Sequence, residues 1–222
     1  MGIPERRERE KTERRRAILN CAKELILEQG VEQVGMEDIA HRAELSKATL
    51  YLYFSGKEII FNEICDESAR VFLEHIKLLP ESSLGGVDAL KCFWRGFTEL
   101  FGNFDEMIII FKVRNFLNPG QPFVSQEEYG KSRNVDAILT AMKTIIDQCK
   151  TEGIFDSRLD SDLATRLLLL LFSNSVDSAS RIPEERRKSP ALIEEMKKAF
   201  QILLYGFAKE GIDRRQLDIA GF

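Results

Sequence analysis

Apolar residues recur along almost the whole chain at the three- and four-residue spacings of an amphipathic helix, and no segment alternates convincingly like a strand. Ile18, Cys21, Ala22, Leu25 and Ile26 form one stripe, which predicts a helix over 12–29 ended by Gly30 as a C-cap residue. Met36, Ile39, Ala40 and Ala43 share a face and predict a short helix over 36–43. Ser46 is a favourable N-cap for a third short helix, which starts at Lys47 and stops near Phe54 at Ser55-Gly56. Lys57 opens a longer helix through Ile60, Phe61, Ile64, Cys65, Val71 and Phe72 to about Leu79. Pro80 and Gly85-Gly86 then break the chain. Further helices are predicted over 87–101, 105–117, 123–152, 160–179 and 190–209, with the charged stretch 181–189 as a loop. The fold class is therefore all-α. It divides into an N-terminal arm and three-helix unit over 1–56, a connecting helix over 57–79 and a larger helical domain over 80–222.

The 222 residues are 44% hydrophobic and 31% charged, enough apolar material to bury a core. No run approaches the ~18 apolar residues of a membrane span, and the chain is charged from Glu5 onward without a signal-like apolar region. A cytoplasmic location is the expectation. Cys21, Cys65, Cys92 and Cys149 have neither metal-site nor redox-motif spacing, and His41 and His75 are the only imidazoles. No metal and no cofactor are expected. Paired catalytic carboxylates, Ser/His/Asp or Cys/His sets and phosphate loops are likewise missing, which argues against an enzyme.

The net charge of −4 does not resemble that of a nucleic-acid binder, but its distribution alters the picture. Residues 1–60 are neutral, and the remainder carries the −4. Within the neutral part, residues 6–16 hold seven Lys/Arg against three Glu, a local +4. Two readings stand: a basic arm facing phosphates, or a solvated helix start laced with pairs such as Glu5–Arg9 and Glu10–Arg14.

The strongest pattern is the run GMEDIAHRAELSKATLYLYFSGK from Gly35 to Lys57. Two short helices flank a turn at Glu44, Leu45 and Ser46, the geometry of a helix-turn-helix with its motif over 35–54. Leu50 and Phe54 can face the core. Lys47, Ala48, Thr49, Tyr51, Leu52 and Tyr53 then lie on or near the outside, where they offer hydrogen-bond donors, apolar surface for a thymine methyl, and phosphate contacts.

The segments ILNCAKELILEQG and EDIAHRAELSKATLYLYFSGKEIIF resemble the N-terminal DNA-binding domain of the TetR/AcrR family of regulators, over about residues 12–64. The resemblance implies that Lys47, Ala48 and Thr49 approach base edges or phosphates, that Tyr51 and Tyr53 contact the backbone alone or the bases as well, and that Lys57 meets a phosphate at a helix N-terminus. Val34, Gly35 and Met36 stand where the family commonly has Thr, Glu44 stands where it has Gly, and Leu52 replaces a commoner aromatic or polar residue. Glu37 either accepts from a cytosine amine or stabilises its helix N-terminus.

The resemblance also implies that the larger domain binds a ligand and dimerises. Leu163, Leu167, Leu168, Leu170, Leu171 and Phe172, then Leu192, Met196, Phe200, Leu203, Leu204 and Phe207, make the last two long helices apolar over a wide arc. Such helices need cover on both sides. The expected two-fold interface uses Leu167, Leu171, Met196, Phe200, Leu203 and Leu204. Phe93, Trp94, Phe97, Phe101, Met107, Phe111 and Met142 are candidates for a pocket taking an apolar or aromatic molecule, with Arg114 and Asn115 either orienting its polar end or simply exposed. The expected partners are thus double-stranded DNA carrying a pseudo-palindromic operator, a second copy of the chain, and a small ligand. The leading expectation is a ligand-released repressor; the alternative is an activator or a ligand-independent regulator.

Overall fold

The computed structural model describes residues 3–77, 85–100, 104–119, 132–183 and 190–219. Among them the ordered elements are helical, save one antiparallel bridge between Phe155 and Ala208. The helices are α1 (Ile3–Gln29), α2 (Met36–Arg42), α3 (Lys47–Tyr53), α4 (Lys57–Lys77), α5 (Gly86–Leu100) and α6 (Phe104–Ile108). After them come a π-helical turn (Ile109–Val113), α7 (Arg114–Leu117), α8 (Arg133–Thr151), α9 (Ser161–Ser180), α10 (Pro190–Phe207) and a 3₁₀ turn (Arg214–Leu217).

Helix α1 begins well before residue 12. Its buried stripe, Ile18, Ala22, Leu25 and Ile26, occupies only the second half, and residues 5–14 are exposed. The first turns thus carry no apolar periodicity that could announce them. Gly30 ends the helix at φ +88°, its N–H donating to the Ile26 carbonyl at 3.0 Å, a conformation that glycine adopts without a Cβ clash.

The segment expected as one helix over 105–117 is one rod interrupted by the π turn. Ile109, Ile110, Phe111 and Val113 are all buried. The extra residue per turn lets this nearly continuous apolar run face inward, which a regular α-helix cannot do. The start expected for the next helix, Phe123, lies outside the described residues. Arg133 begins α8 behind Ser132, whose hydroxyl accepts from the Val135 N–H and donates to Asp66 Oδ1 at 2.8 Å. Asp66 also accepts from the backbone and side chain of Asn134, tying α8 to α4.

Helix α4 lies at the centre, packed against α1, α5, α8 and the π turn. Aromatic residues fill the space around it: Phe72 meets Phe93 edge to face at 5.5 Å, Phe97 stacks on Phe172 at 4.2 Å, and Trp94 stacks on Phe200 at 5.0 Å. Burying each such ring contributes about 1.5–3 kcal/mol. Helix α5 begins hard against α8. A Cβ on Gly86 would come within 2.8 Å of the Cys149 backbone nitrogen, and the Gly86 N–H donates to Glu152 Oε2 at 2.8 Å.

The two last long helices correct the expected interface. Met196, Phe200 and Leu204 are turned into the chain's own core, and Leu171 and Leu203 are half-buried against it. Met196, Phe200, Leu204 and Phe207 form the inward stripe of α10 at four- and three-residue steps. The apolar surface left outside consists of Leu163, Leu167 and Leu170 on α9, with Ile202 on α10.

Candidate nucleic-acid interface and interior cavity

Helix α2 starts at Gly35, whose N–H donates to Asp38 Oδ2 at 2.8 Å. Asp38, rather than Glu37, therefore satisfies the start of this helix. Beyond α2 the chain reverses through Glu44 at φ +54°, with the Leu45 N–H donating to the Ala40 carbonyl at 2.8 Å. The left-handed turn is thus kept with a non-glycine residue. Ser46 then caps α3, accepting from the Thr49 N–H at 3.0 Å. Leu50 is fully buried and Phe54 nearly so, which sets the rotation of α3 on the core. Lys47, Ala48, Tyr51 and Leu52 project outward, Leu52 being 82% exposed, while Thr49 and Tyr53 are half-buried. The Thr49 hydroxyl pairs with that of Ser46 at 2.8 Å. Lys47 Nζ lies 3.7 Å from Glu37 Oε2, an exposed pair that water and salt weaken.

Arg15 was counted with the basic arm, yet it works as a clamp. Its guanidinium donates to the Tyr53 carbonyl at 2.8 Å and to Glu63 Oε1 at 2.6 Å, with its carbon 4.0 Å from the centre of the Phe54 ring. One fork thereby joins α1, the end of α3 and α4, a role that no local sequence signal announces. Elsewhere on the exposed part of α1, Arg6 pairs with Glu10 and Arg9 with Glu13, not the Glu5–Arg9 and Glu10–Arg14 pairs expected. Arg7, Lys11, Arg14 and Arg16 remain as cations without such a partner among the described residues.

Lys57, of which a phosphate contact is expected, also has partners within the chain. Its ammonium donates to the Val34 carbonyl at 3.0 Å and lies 5.0 Å from the centre of the Phe116 ring. It fastens the segment before α2 to α4 and α7. Lys23 on α1 makes a second such link, pairing with Glu106 on α6.

Between α4, α5, the rod, α8 and α9 lies a cavity of about 20 Å³, lined wholly by apolar side chains that include Phe93, Phe97, Met107 and Phe111. These four were expected there. Trp94 and Met142 were also expected, but Trp94 packs on Phe200 and Met142 is buried away from the lining. Phe101 lies outside the described residues. Arg114 is buried beside α4, 3.4 Å from Asn62 Oδ1, rather than on the cavity wall. Asn115 donates to the Ser173 hydroxyl at 3.3 Å. Phe72, Ile110, Val135, Ile138, Leu139, Leu169 and Phe172 also line the cavity; each lies on an apolar stripe that looks the same in sequence whether it packs a core or borders a void. Cys65, wholly buried on α4, has its thiol pushed up to about 12 by burial, against the pull of nearby Arg114.

A short, capped helix held outward behind a left-handed turn, on an all-helical body, defines a helix-turn-helix protein. Residues 18–64 match the sequence profile of the bacterial regulatory proteins of the tetR family. The chain is 25% identical over 161 residues to the fatty acid metabolism regulator protein of Bacillus subtilis (strain 168), covering 72% of this chain and 78% of that one. It is also 25% identical over 204 residues to the HTH-type transcriptional regulator YdgC of the same organism, covering 91% and 97%. Among solved structures, the fold matches Thermus thermophilus FadR, a TetR-family transcriptional repressor in complex with lauroyl-CoA. The TM-score is 0.60 at 19% identity, over 89% of this chain and 97% of that one. Residues 18–64 thus carry the tetR-family profile, and over most of its length the chain resembles transcriptional regulators.

Proposed function

We propose that this protein is a dimeric repressor that holds double-stranded DNA through α3 and lets go when an apolar molecule enters the interior between α4, α5, the rod, α8 and α9. The division into arm and helix-turn-helix over 1–56, connecting helix over 57–79 and ligand and dimerisation domain over 80–222 belongs to this reading, as does action in the cytoplasm. The observation that carries it is the setting of α3, with Leu50 and Phe54 anchored inward and Lys47, Ala48, Tyr51 and Leu52 held outward. Lys47, Ala48 and Tyr51 are assigned to base edges and nearby phosphates, Thr49 and Tyr53 to the margins, and the free cations of α1 to the backbone. Lys57 is assigned both to positioning the start of α2 and to a nearby phosphate, since the bond to Val34 uses one of its three N–H donors.

The partner copy is assigned to the face of Leu163, Leu167, Leu170 and Ile202, with Leu171 and Leu203 at its edge. A two-fold dimer presents two α3 helices about one DNA turn apart to a pseudo-palindrome. For the ligand, the apolar lining, the lauroyl-CoA of the Thermus relative and the fatty-acid role of the Bacillus relative favour a long acyl chain, carried as its CoA thioester. At about 20 Å³ the cavity must open to admit it, and that opening would move α4 and separate the two α3 helices. The test is selection of bound duplexes from random DNA, followed by titration with lauroyl-CoA. A selected inverted repeat whose affinity falls at least tenfold with lauroyl-CoA supports the reading. An unchanged affinity despite measurable lauroyl-CoA binding overturns the release mechanism and leaves the ligand-independent regulator, to which the closed cavity also lends support.

A further inference from the structure

We propose that Leu52, with Ala48 one helical turn before it, reads the C5 methyl of thymine in the major groove and so helps to set which operator the protein selects. This rests on α3 being the recognition helix. In this seven-residue helix Leu50 is spent on the core, as is Phe54 just beyond it, while Leu52 stands 82% exposed and more open than any other large apolar side chain described. Ala48 is exposed at the (i, i+4) position, and Tyr51, 47% exposed, lies beside both. Together they make a narrow apolar ridge along the outer edge of the helix.

The size of the ridge says what it fits. A stable protein partner buries about 800 Å² on each side, far more than a leucine and an alanine supply. Of the groups that base pairs display in the major groove, only the thymine methyl is apolar. It is small, it projects into the groove, and contact with it requires no hydrogen bond. Lys47 at the start of α3 and the free Arg14 and Arg16 of α1 supply the positive charge that brings such a ridge against DNA. Ser46 and Leu50 fix the helix in rotation and along its axis, so the ridge meets a defined step of the groove.

The test uses the full chain and the duplex it selects from a random pool. Each thymine is replaced singly by deoxyuridine, which removes the methyl and leaves every hydrogen-bonding group. Binding of the wild type is expected to weaken about fourfold at one or two positions per half-site, the value of one buried methyl. Leu52→Ala is expected to bind the thymine duplex more weakly, to lose the preference for thymine over deoxyuridine at those positions, and to keep its melting temperature because the side chain packs on nothing. A selected duplex with no deoxyuridine-sensitive position, or a Leu52→Ala protein that keeps the full preference, overturns the proposal. Failure to bind any duplex at low salt overturns the recognition-helix reading itself, and the proposal with it.

Discussion

Glu44 holds the turn between α2 and α3 at φ +54°, where a Cβ meets the following carbonyl at a penalty of about 1–2 kcal/mol. Glu44→Gly is expected to raise stability by about 1 kcal/mol, less than the full strain because glycine loses more freedom on folding. For a chain of this size that is a rise of about 2–4 °C in a thermal melt followed by circular dichroism. Glu44→Ala keeps the Cβ and is expected to give no such rise. The residue scale also holds a pH dependence. Cys65 has its thiol raised by burial to about 12 from an ordinary 9.0. The stability gained by keeping it neutral is whole below pH 9.0 and drains away as pH climbs toward 12. The denaturant midpoint should fall over that alkaline window, and fall less steeply in Cys65→Ala. In the sequence, Glu44 was legible as an irregular residue at a turn position, because the chemistry is local. Lys57 was not: its place at a helix start points to solvent, and only the fold brings Val34 and Phe116 to its ammonium.

At the scale of elements, α3 is too short to stand alone and depends on what grips its ends. Arg15 holds the last turn through the Tyr53 carbonyl and Glu63. Arg15→Ala is expected to destabilise the chain by about 1.5–3 kcal/mol and to speed hydrogen exchange at Leu50 and Phe54. Arg15→Lys should recover little, since one ammonium cannot serve both partners in the geometry of a fork. Gly86 is the corresponding tight point of the larger domain. Gly86→Ala drives a methyl into the Cys149 backbone, and a loss of about 1–3 kcal/mol is expected in equilibrium unfolding. Element positions were legible wherever one face is buried and the other wet, as in the Ile18–Ile26 stripe. They were illegible in the solvated first turns of α1, which have no periodic face, and at the π turn, whose run of apolar residues permits more than one register.

At the scale of the whole molecule, α9 and α10 presented apolar residues on both sides, and periodicity alone could not tell the side that packs inward from the side left over. The fold settles it: Met196, Phe200 and Leu204 go in, while Leu163, Leu167, Leu170 and Ile202 stay out. If that outer face carries the second copy, Leu167→Glu with Leu170→Glu should yield a folded monomer in sedimentation velocity, with affinity for an inverted repeat reduced at least a hundredfold. The same exchange at Met196 and Phe200 should unfold the chain instead.

The near-closure of the interior, about 20 Å³ of free space among phenylalanine, methionine and aliphatic side chains, bears on how such a regulator would set its sensitivity. A sensor whose binding-competent form is scarce has an apparent affinity scaled down by the fraction that is open. Its threshold is then written in core packing, not in contacts with the effector. Trimming Phe97 or Phe172 would shift the dose at which the switch turns without touching the surface that reads DNA. Selection could thus retune the alarm level of the circuit while leaving its address unchanged.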